Sequence, residues 1–209
     1  MSVPVLELLD HTRNEVLRDV VGPFLFSEDA LLRYLNEGYK LFARHTHCFV
    51  DDLETLTTVA GTARYLLPAD TIYVRQVSLG NTYLTPYTRR AKPSLGLSGK
   101  PRAYTTDARH KHIKLYATPD DVYELELERA VSPEFVDQSD DVELDFEWAY
   151  MLPQWIAYRA LSTNDPDGSN TVAAQGFYQN WGTGLREAKM DFARQAMGDN
   201  PSAQPRKWT

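Results

Sequence analysis

Two short histidine clusters are the first residues whose spacing suggests chemistry. His45-x-His47-Cys48 and His110-x-His112 offer imidazole and thiolate donors of the kind zinc accepts. Neither spacing is that of a finger or a ribbon, and no Asp or Glu stands at a helical offset to complete a set. A histidine pair near a helix C-terminus also complements the negative pole of the helix dipole, so no metal ligand is assigned. The second candidate is acidic. Between Asp120 and Glu147 stand twelve Asp or Glu residues against one Arg, Arg129. A carboxylate pair there could do general acid–base work in a glycan hydrolase. Most of these acids, however, alternate along a strand-like segment or lie in a loop, which is the pattern of a solvated face.

The third candidate is basic. Pro86–Lys114 holds Arg89, Arg90, Lys92, Lys100, Arg102, Arg109, Lys111 and Lys114 against one acid, Asp107. With Tyr87 and Tyr104 nearby this stretch could stack and hold nucleic acid. It fits a soluble sheet surface or a contact for an acidic partner as well. The opposition of sign between neighbouring stretches suggests a further use. A head-to-tail interface joins two different surfaces of identical subunits, and opposite charges on them would set its register. Arg89, Arg90, Lys92 and Arg102 on one side, and Asp120 and Asp121 on the other, are the expected contacts. Nucleophile elbows, P-loops and dinucleotide fingerprints are absent. No catalytic residue and no cofactor is therefore assigned, and the chain is not expected to be an enzyme.

The whole chain narrows the classes further. With 43% hydrophobic and 24% charged residues in 209 positions, it is ordinary for one globular domain or two small ones. It has no run of eighteen apolar residues, so no membrane span is expected. The first residues carry acids and no basic n-region, unlike a secretory signal. One cysteine, Cys48, rules out an intrachain disulfide framework and fits a cytoplasmic setting. The net charge of −7 argues against a dedicated DNA binder, because phosphate neutralisation needs clustered Lys and Arg. It does not bear on a protein that DNA merely passes.

Three zones must position these residues. Residues 3–20 place Val5, Leu8, Leu9, Val16, Leu17 and Val20 near one helical face, and Gly22-Pro23 stops that helix. Ser27 caps a second amphipathic helix over roughly 28–46. From about 50 to 135 the pattern is short strands with turns, including a hairpin at Gly80-Asn81 and a turn at Asp107–Lys111, which predicts a small antiparallel sandwich or barrel. The stretch 91–101 reads as loop. Helix returns at 145–163, where Pro153 marks a kink or a first turn. After a turn at Asp165–Gly168, Asn170 caps a last helix to about Met197, with Gly198 as its C′ residue. The order predicts an α+β fold. Its four-helix bundle comes from the N- and C-terminal segments, 1–48 and 140–198. An antiparallel β-rich domain, 49–139, is inserted between them, and 199–209 forms an extended tail.

Several stretches together resemble a known family. They are TTVAGTARYLLPADTIYVRQVSL with its Y-x-LP-x-D core at Tyr65–Asp70, KPRAYTT, IKLYATPDDVYELELERAVSP, and MLPQWIAYRALSTNDPDGSNTVAAQGFYQNW. The chain is similar over most of 3–197 to the head-to-tail adaptors (neck or tail-tubular proteins) of tailed bacteriophages. The resemblance implies a virion protein, made in the host cytoplasm, that forms a ring of identical subunits, commonly twelve, between the portal protein and the tail nozzle or tubular protein. Double-stranded DNA would pass without sequence-specific binding, and no membrane is involved. The loop between strands would meet the next tail component. The tail DNPSAQPRKWT, with Gln204, Pro205, Arg206, Lys207 and Trp208, would order on the portal, since Trp and Arg are enriched at interface hot spots. The competing functions are the carboxylate-based glycan hydrolase and a carbohydrate- or protein-binding β module carried on helices.

Overall fold

The computed structural model describes residues 2–87, 98–107, 111–163 and 170–197. Met1–Thr46 with Glu134–Thr209 form one compact unit and His47–Pro133 form another. The helical unit opens with β1 (Val3–Pro4), paired antiparallel with β10 (Asp141–Val142). α1 (Val5–His11) follows and runs on as a π-helical segment, Thr12–Leu17. The periodicity predicts one helix to Val20. The chain instead leaves it at Arg18, whose φ is +54°. The cause is Asp19, which is buried. Its carboxylate accepts Arg13 Nη1 at 3.1 Å and the amides of Leu25 and Phe26 at 3.0 and 3.2 Å. A buried carboxylate has to be paired, and this pairing folds the loop 18–27 back on itself. Val20, expected on the buried face, is exposed as a result.

α2 (Glu28–Thr46) begins where Ser27 Oγ accepts the Ala30 amide at 3.3 Å. Acids in its first turn and Arg44 and His45 in its last both suit the helix dipole. Its buried face is Leu31, Leu35, Tyr39 and Phe42. The apolar stretch 145–163 is two helices, α3 (Phe146–Ala149) and α4 (Leu152–Thr163), broken at Tyr150–Met151. Pro153 lies in the first turn of α4, where a missing amide costs nothing. α5 (Thr171–Met197) starts with the Ala174 amide on the Asn170 carbonyl at 2.8 Å.

These helices do not make the expected four-helix bundle. α2, α4 and α5 pack on one another, while the first helix is too short and too interrupted to be a fourth equal member, and touches α4 and α2 only along a few residues. The centre is aromatic. Phe42 lies 6.5, 6.3 and 6.3 Å from the ring centroids of Trp148, Trp181 and Phe192, and Trp155 lies 5.7 Å from Trp181. Gly38 permits the close approach of α2 and α4. A Cβ there would stand 2.8 Å from Trp155 Cδ1. The acidic stretch before α3 is a strap across α2. Asn36, buried amid the apolar face, grips Val136 with both ends of its amide, donating to the carbonyl at 2.9 Å and accepting from the amide at 2.8 Å. Tyr39 Oη accepts the Glu143 amide at 3.1 Å, and Val142 and Leu144 turn their side chains into the core.

The β unit contains β2 (Val50–Thr57), β3 (Arg64–Leu66), β4 (Thr71–Leu79), β5 (Thr82–Tyr83), β6 (Thr85–Pro86), β7 (Ala103–Asp107), β8 (His112–Tyr116) and β9 (Glu124–Val131). They make two four-stranded sheets, β2-β9-β4-β5 and β3-β8-β7-β6. Their inner faces share one core, with Val74, Val77, Leu125 and Leu127 from the first sheet against Tyr104, Ile113 and Leu115 from the second. The sheets are antiparallel, as their patterning predicts, except that β6 runs parallel to β7. The Gly80-Asn81 turn joins Leu79 to Thr82 directly across the ladder, with Gly80 at φ +57°.

Candidate interaction surfaces

Of the expected contact residues, Arg89, Arg90 and Lys92 lie outside the described residues, as do Gln204, Pro205, Arg206, Lys207 and Trp208. Arg102, Asp120 and Asp121 are described, and all three are exposed. The structure brings these three to one end of the β unit. Ala103 pairs with Tyr116, and the Arg102 amide donates to the Tyr116 carbonyl at 2.7 Å. Arg102 therefore sits where β8 leaves towards Asp120. Asp120 and Asp121 shape the turn into β9. Asp120 Oδ1 accepts Tyr123 Oη at 2.7 Å and Asp121 Oδ1 accepts the Val122 amide at 2.8 Å. The hydrogen bond to Asp120, then burial, then the neighbouring carboxylate charges raise the Tyr123 pKa above its ordinary value.

The remaining basic side chains described are partly used inside the unit. Lys111 Nζ donates to the Thr71 carbonyl, and Lys114 Nζ sits 5.0 Å from the Tyr116 ring centroid. A continuous basic strip is therefore not what the described part of Pro86–Lys114 presents. The lone Arg in the acidic stretch is likewise committed. Arg129 has the same strand parity as Leu125 and Leu127, and is 5% exposed. Its Nη1 donates to Asp70 Oδ1 at 2.6 Å and to Thr71 Oγ1 at 3.0 Å. Its Nη2 donates to Asp51 Oδ2 at 2.6 Å and to Glu54 Oε2 at 3.3 Å. Burial works against the charged guanidinium. The hydrogen bond and charge of Asp70, then those of Asp51, outweigh it and hold the pKa above its ordinary value.

This cluster also explains the Y-x-LP-x-D stretch. Tyr65 Oη donates to Thr62 O and accepts the Val59 amide at 3.0 Å. Leu67 enters the core, the Pro68 carbonyl accepts the Thr71 amide at 3.1 Å, and Asp70 holds Arg129. These residues build the sandwich.

The residues of the first histidine cluster fall in different units. His45 ends α2 in the helical unit. In the β unit, His47 (φ +55°) stacks on Tyr73 with centroids 5.6 Å apart, and its carbonyl accepts Arg75 Nη2 at 2.7 Å. His110 lies outside the described residues. Among the described residues no three His, Cys, Asp or Glu side chains are placed to hold a metal ion. Also among the described residues, no helix is long and apolar enough to cross a membrane.

Two surfaces of the helical unit were not singled out by spacing. The first is the loop before α2, where Val20, Val21, Phe24 and Leu25 are 58, 78, 53 and 76% exposed. It is held from within by Asp19 and by Arg13, whose guanidinium carbon lies 4.3 Å from the Phe24 ring centroid. The second is a groove of about 700 Å³ walled by α2 and α5, with Trp155 and Trp181 among its lining and Leu41, Tyr178, Leu185 and Arg186 around them. Trp155 Nε1 is buried there without an acceptor among the described residues. One sequence signal marks each surface: an apolar run, VVGPFLF, in a loop, and an exposed helix carrying no charge from Thr171 to Leu185. Neither this groove nor the polar one beside Arg13 and Arg33 is lined by any acid of 120–147.

No curated protein matches the chain. A family model described as SU10 adaptor protein matches residues 3–205.

Proposed function

The chain belongs to the SU10 adaptor protein family, and from that membership we propose that it is a structural subunit of a phage head-to-tail connector. In this reading identical subunits, twelve in the commonest arrangement, form a ring in the neck of the virion. The ring joins the portal protein to the tail nozzle or tubular protein and walls part of the channel through which DNA leaves the head. Its work is binding and alignment, with no chemical step. The observation that carries this reading is the extent of the family match, which runs through both compact units and reaches Pro205, inside the C-terminal tail.

The chemistry of the chain supports it. A net charge of −7 keeps DNA phosphates from adhering to a conduit, so DNA passes without sequence-specific contact. Gln204, Pro205, Arg206, Lys207 and Trp208 serve as the grip on the portal, with Trp208 in an apolar pocket and Arg206 and Lys207 on acids. Arg89, Arg90, Lys92, Arg102, Asp120 and Asp121 face a neighbouring subunit or the next tail component. Because Arg102, Asp120 and Asp121 share one end of the β unit, that end is the contact region. The test is imaging of intact particles, or of the chain co-assembled with portal protein. A ring seated on the portal is the expected result. A protein that stays monomeric beside the portal and cleaves glycan would sink the proposal, as would a ring whose lumen is basic for the conduit argument.

A further inference from the structure

The β unit carries opposite charge on the outer faces of its two sheets. We propose that these faces are the two halves of one contact between copies of the chain. The glutamate row of β9 in one subunit lies on the Arg64–Lys114 pair of the next. This rests on the ring reading above and names the surfaces that would close the ring. It leaves the end of the unit that bears Arg102, Asp120 and Asp121 to the next tail component.

Both faces follow from the pleat. Leu125 and Leu127 enter the sandwich core, so Glu124, Glu126 and Glu128 stand in a row on the other side of β9, about 6.7 Å apart. β9 lies between β2 and β4, which puts the row in the middle of its sheet. Glu128 has Arg75 Nη1 at 3.6 Å. Glu124 and Glu126 are exposed and stand opposite hydroxyl side chains, Thr57 for the first, Thr55 and Ser78 for the second. Ser78 Oγ donates to Glu126 at 3.0 Å, which orients that carboxylate and leaves its charge. The second sheet has the reverse sign. Ile113 and Leu115 enter the core, which turns Lys114 outward, and Arg64 lies directly across the ladder from it. Like charges set directly opposite on a sheet destabilise it, so this pair gains from an anion brought to it from outside. Asp107, the one acid on this face among the described residues, stands a row away, opposite His112.

Charge decides the occupant. The two faces lie on opposite sides of one core. A copy that lays its acidic face on the basic face of another therefore still offers its own basic face to a third. That is the heterologous contact, which generates a ring where the rotation closes. A two-fold pair would instead set glutamates against glutamates, or Arg64 and Lys114 against themselves, and like-charge juxtaposition suppresses such pairings. Each face also carries one large exposed side chain beside its charges. Tyr83 stands opposite Ser78 on the acidic face and Leu66 opposite His112 on the basic one, both 70% exposed. They add apolar area to a contact whose register the charges set.

The test uses full-length chain co-assembled with portal protein. One preparation carries Glu124→Lys with Glu126→Lys, and a second carries Arg64→Glu with Lys114→Glu. All four positions lie on outer faces, so circular dichroism should match that of the unmodified chain. Each preparation alone sets like charges against each other and should lose ring yield by about tenfold or more. An equal mixture should recover most of it, because every contact in a ring of alternating copies is again opposite in sign. Native mass spectrometry should then count the two chains in equal number. If a reversed chain fails to fold, Glu124→Gln with Glu126→Gln takes its place, and the salt dependence of ring yield should flatten. An unchanged salt dependence would overturn the contact and leave the ring reading standing. So would either reversed preparation forming rings as well as the unmodified chain, or a mixture no better than its components. Failure of the unmodified chain to form any ring on the portal would remove the ring reading itself, and this contact with it.

Discussion

At the scale of single residues, several described groups that look chemical in the sequence hold the β unit together. Arg129 is the clearest case. Its Nη1 serves Asp70 and its Nη2 serves both Asp51 and Glu54, so removing it strands the three carboxylates against one another. Arg129→Met should destabilise the β unit by about 3 kcal/mol, the usual range for breaking a buried pair from one side. Arg129→Lys should recover less than half of that, because an ammonium cannot reach both sets of acids. Urea unfolding followed by circular dichroism measures both. Two glycines give an opposed pair of expectations. Gly38→Ala drives a methyl into the fixed indole of Trp155 and should cost roughly 1–3 kcal/mol. Gly184→Ala meets only the flexible end of Met151, which can swing aside. The better helix propensity of Ala, about 1 kcal/mol over Gly, should leave that variant neutral or more stable in the same measurement. Spacing alone could not separate these glycines, since both stand inside helical patterns and differ only in what faces them.

At the scale of elements, local rules carried far where one rule acted alone. Ser27 with Glu28 and Asp29 announces α2 to the residue, and Gly80-Asn81 announces its hairpin, because caps and tight turns are short-range devices. The misses are places where a distant partner decided. Asp19 ends the first helix by reaching Arg13 and the loop amides, against a periodicity that continues to Val20. The parallel β6–β7 pair has no local signature, since register across a long connection is set by tertiary packing. Asn36 reads as a blemish on the apolar face of α2 until Val136 is seen beside it. The sandwich also has a testable alkaline limit. Burial, and then the charge of nearby Tyr73, pushes the Tyr104 pKa from 10.0 to about 12. The folded chain then keeps a proton that the unfolded chain releases above pH 10. Stability from this group is complete below that pH and is lost as pH rises towards 12. Tyr104→Phe should flatten the decline, followed by thermal unfolding across that range. Phenolate absorbance that arises only with unfolding would assign the effect.

At the scale of the whole molecule, the α+β class and the order of helices, strands and helices are legible because hydrophobic period changes twice along the chain, from 3.6 to 2 and back. The exposed apolar surfaces are less legible. An apolar run such as VVGPFLF resembles core in a string of letters, yet Val20, Val21, Phe24 and Leu25 are exposed over a buried Asp19, and only Phe26 of the run turns inward. For the tail, deleting residues 199–209 should leave circular dichroism and the unfolding midpoint unchanged and abolish capture by portal protein in a pull-down. Normal capture by the truncated chain would move the portal grip elsewhere. The groove carries one more consequence. Buried indoles usually find an acceptor, yet Trp155 Nε1 has none among the described residues. Its proton should give an indole resonance set apart from those of hydrogen-bonded tryptophans and slow to exchange with solvent. That line is a native label at the wall of the groove. It would report occupancy there in an unmodified chain, in solution.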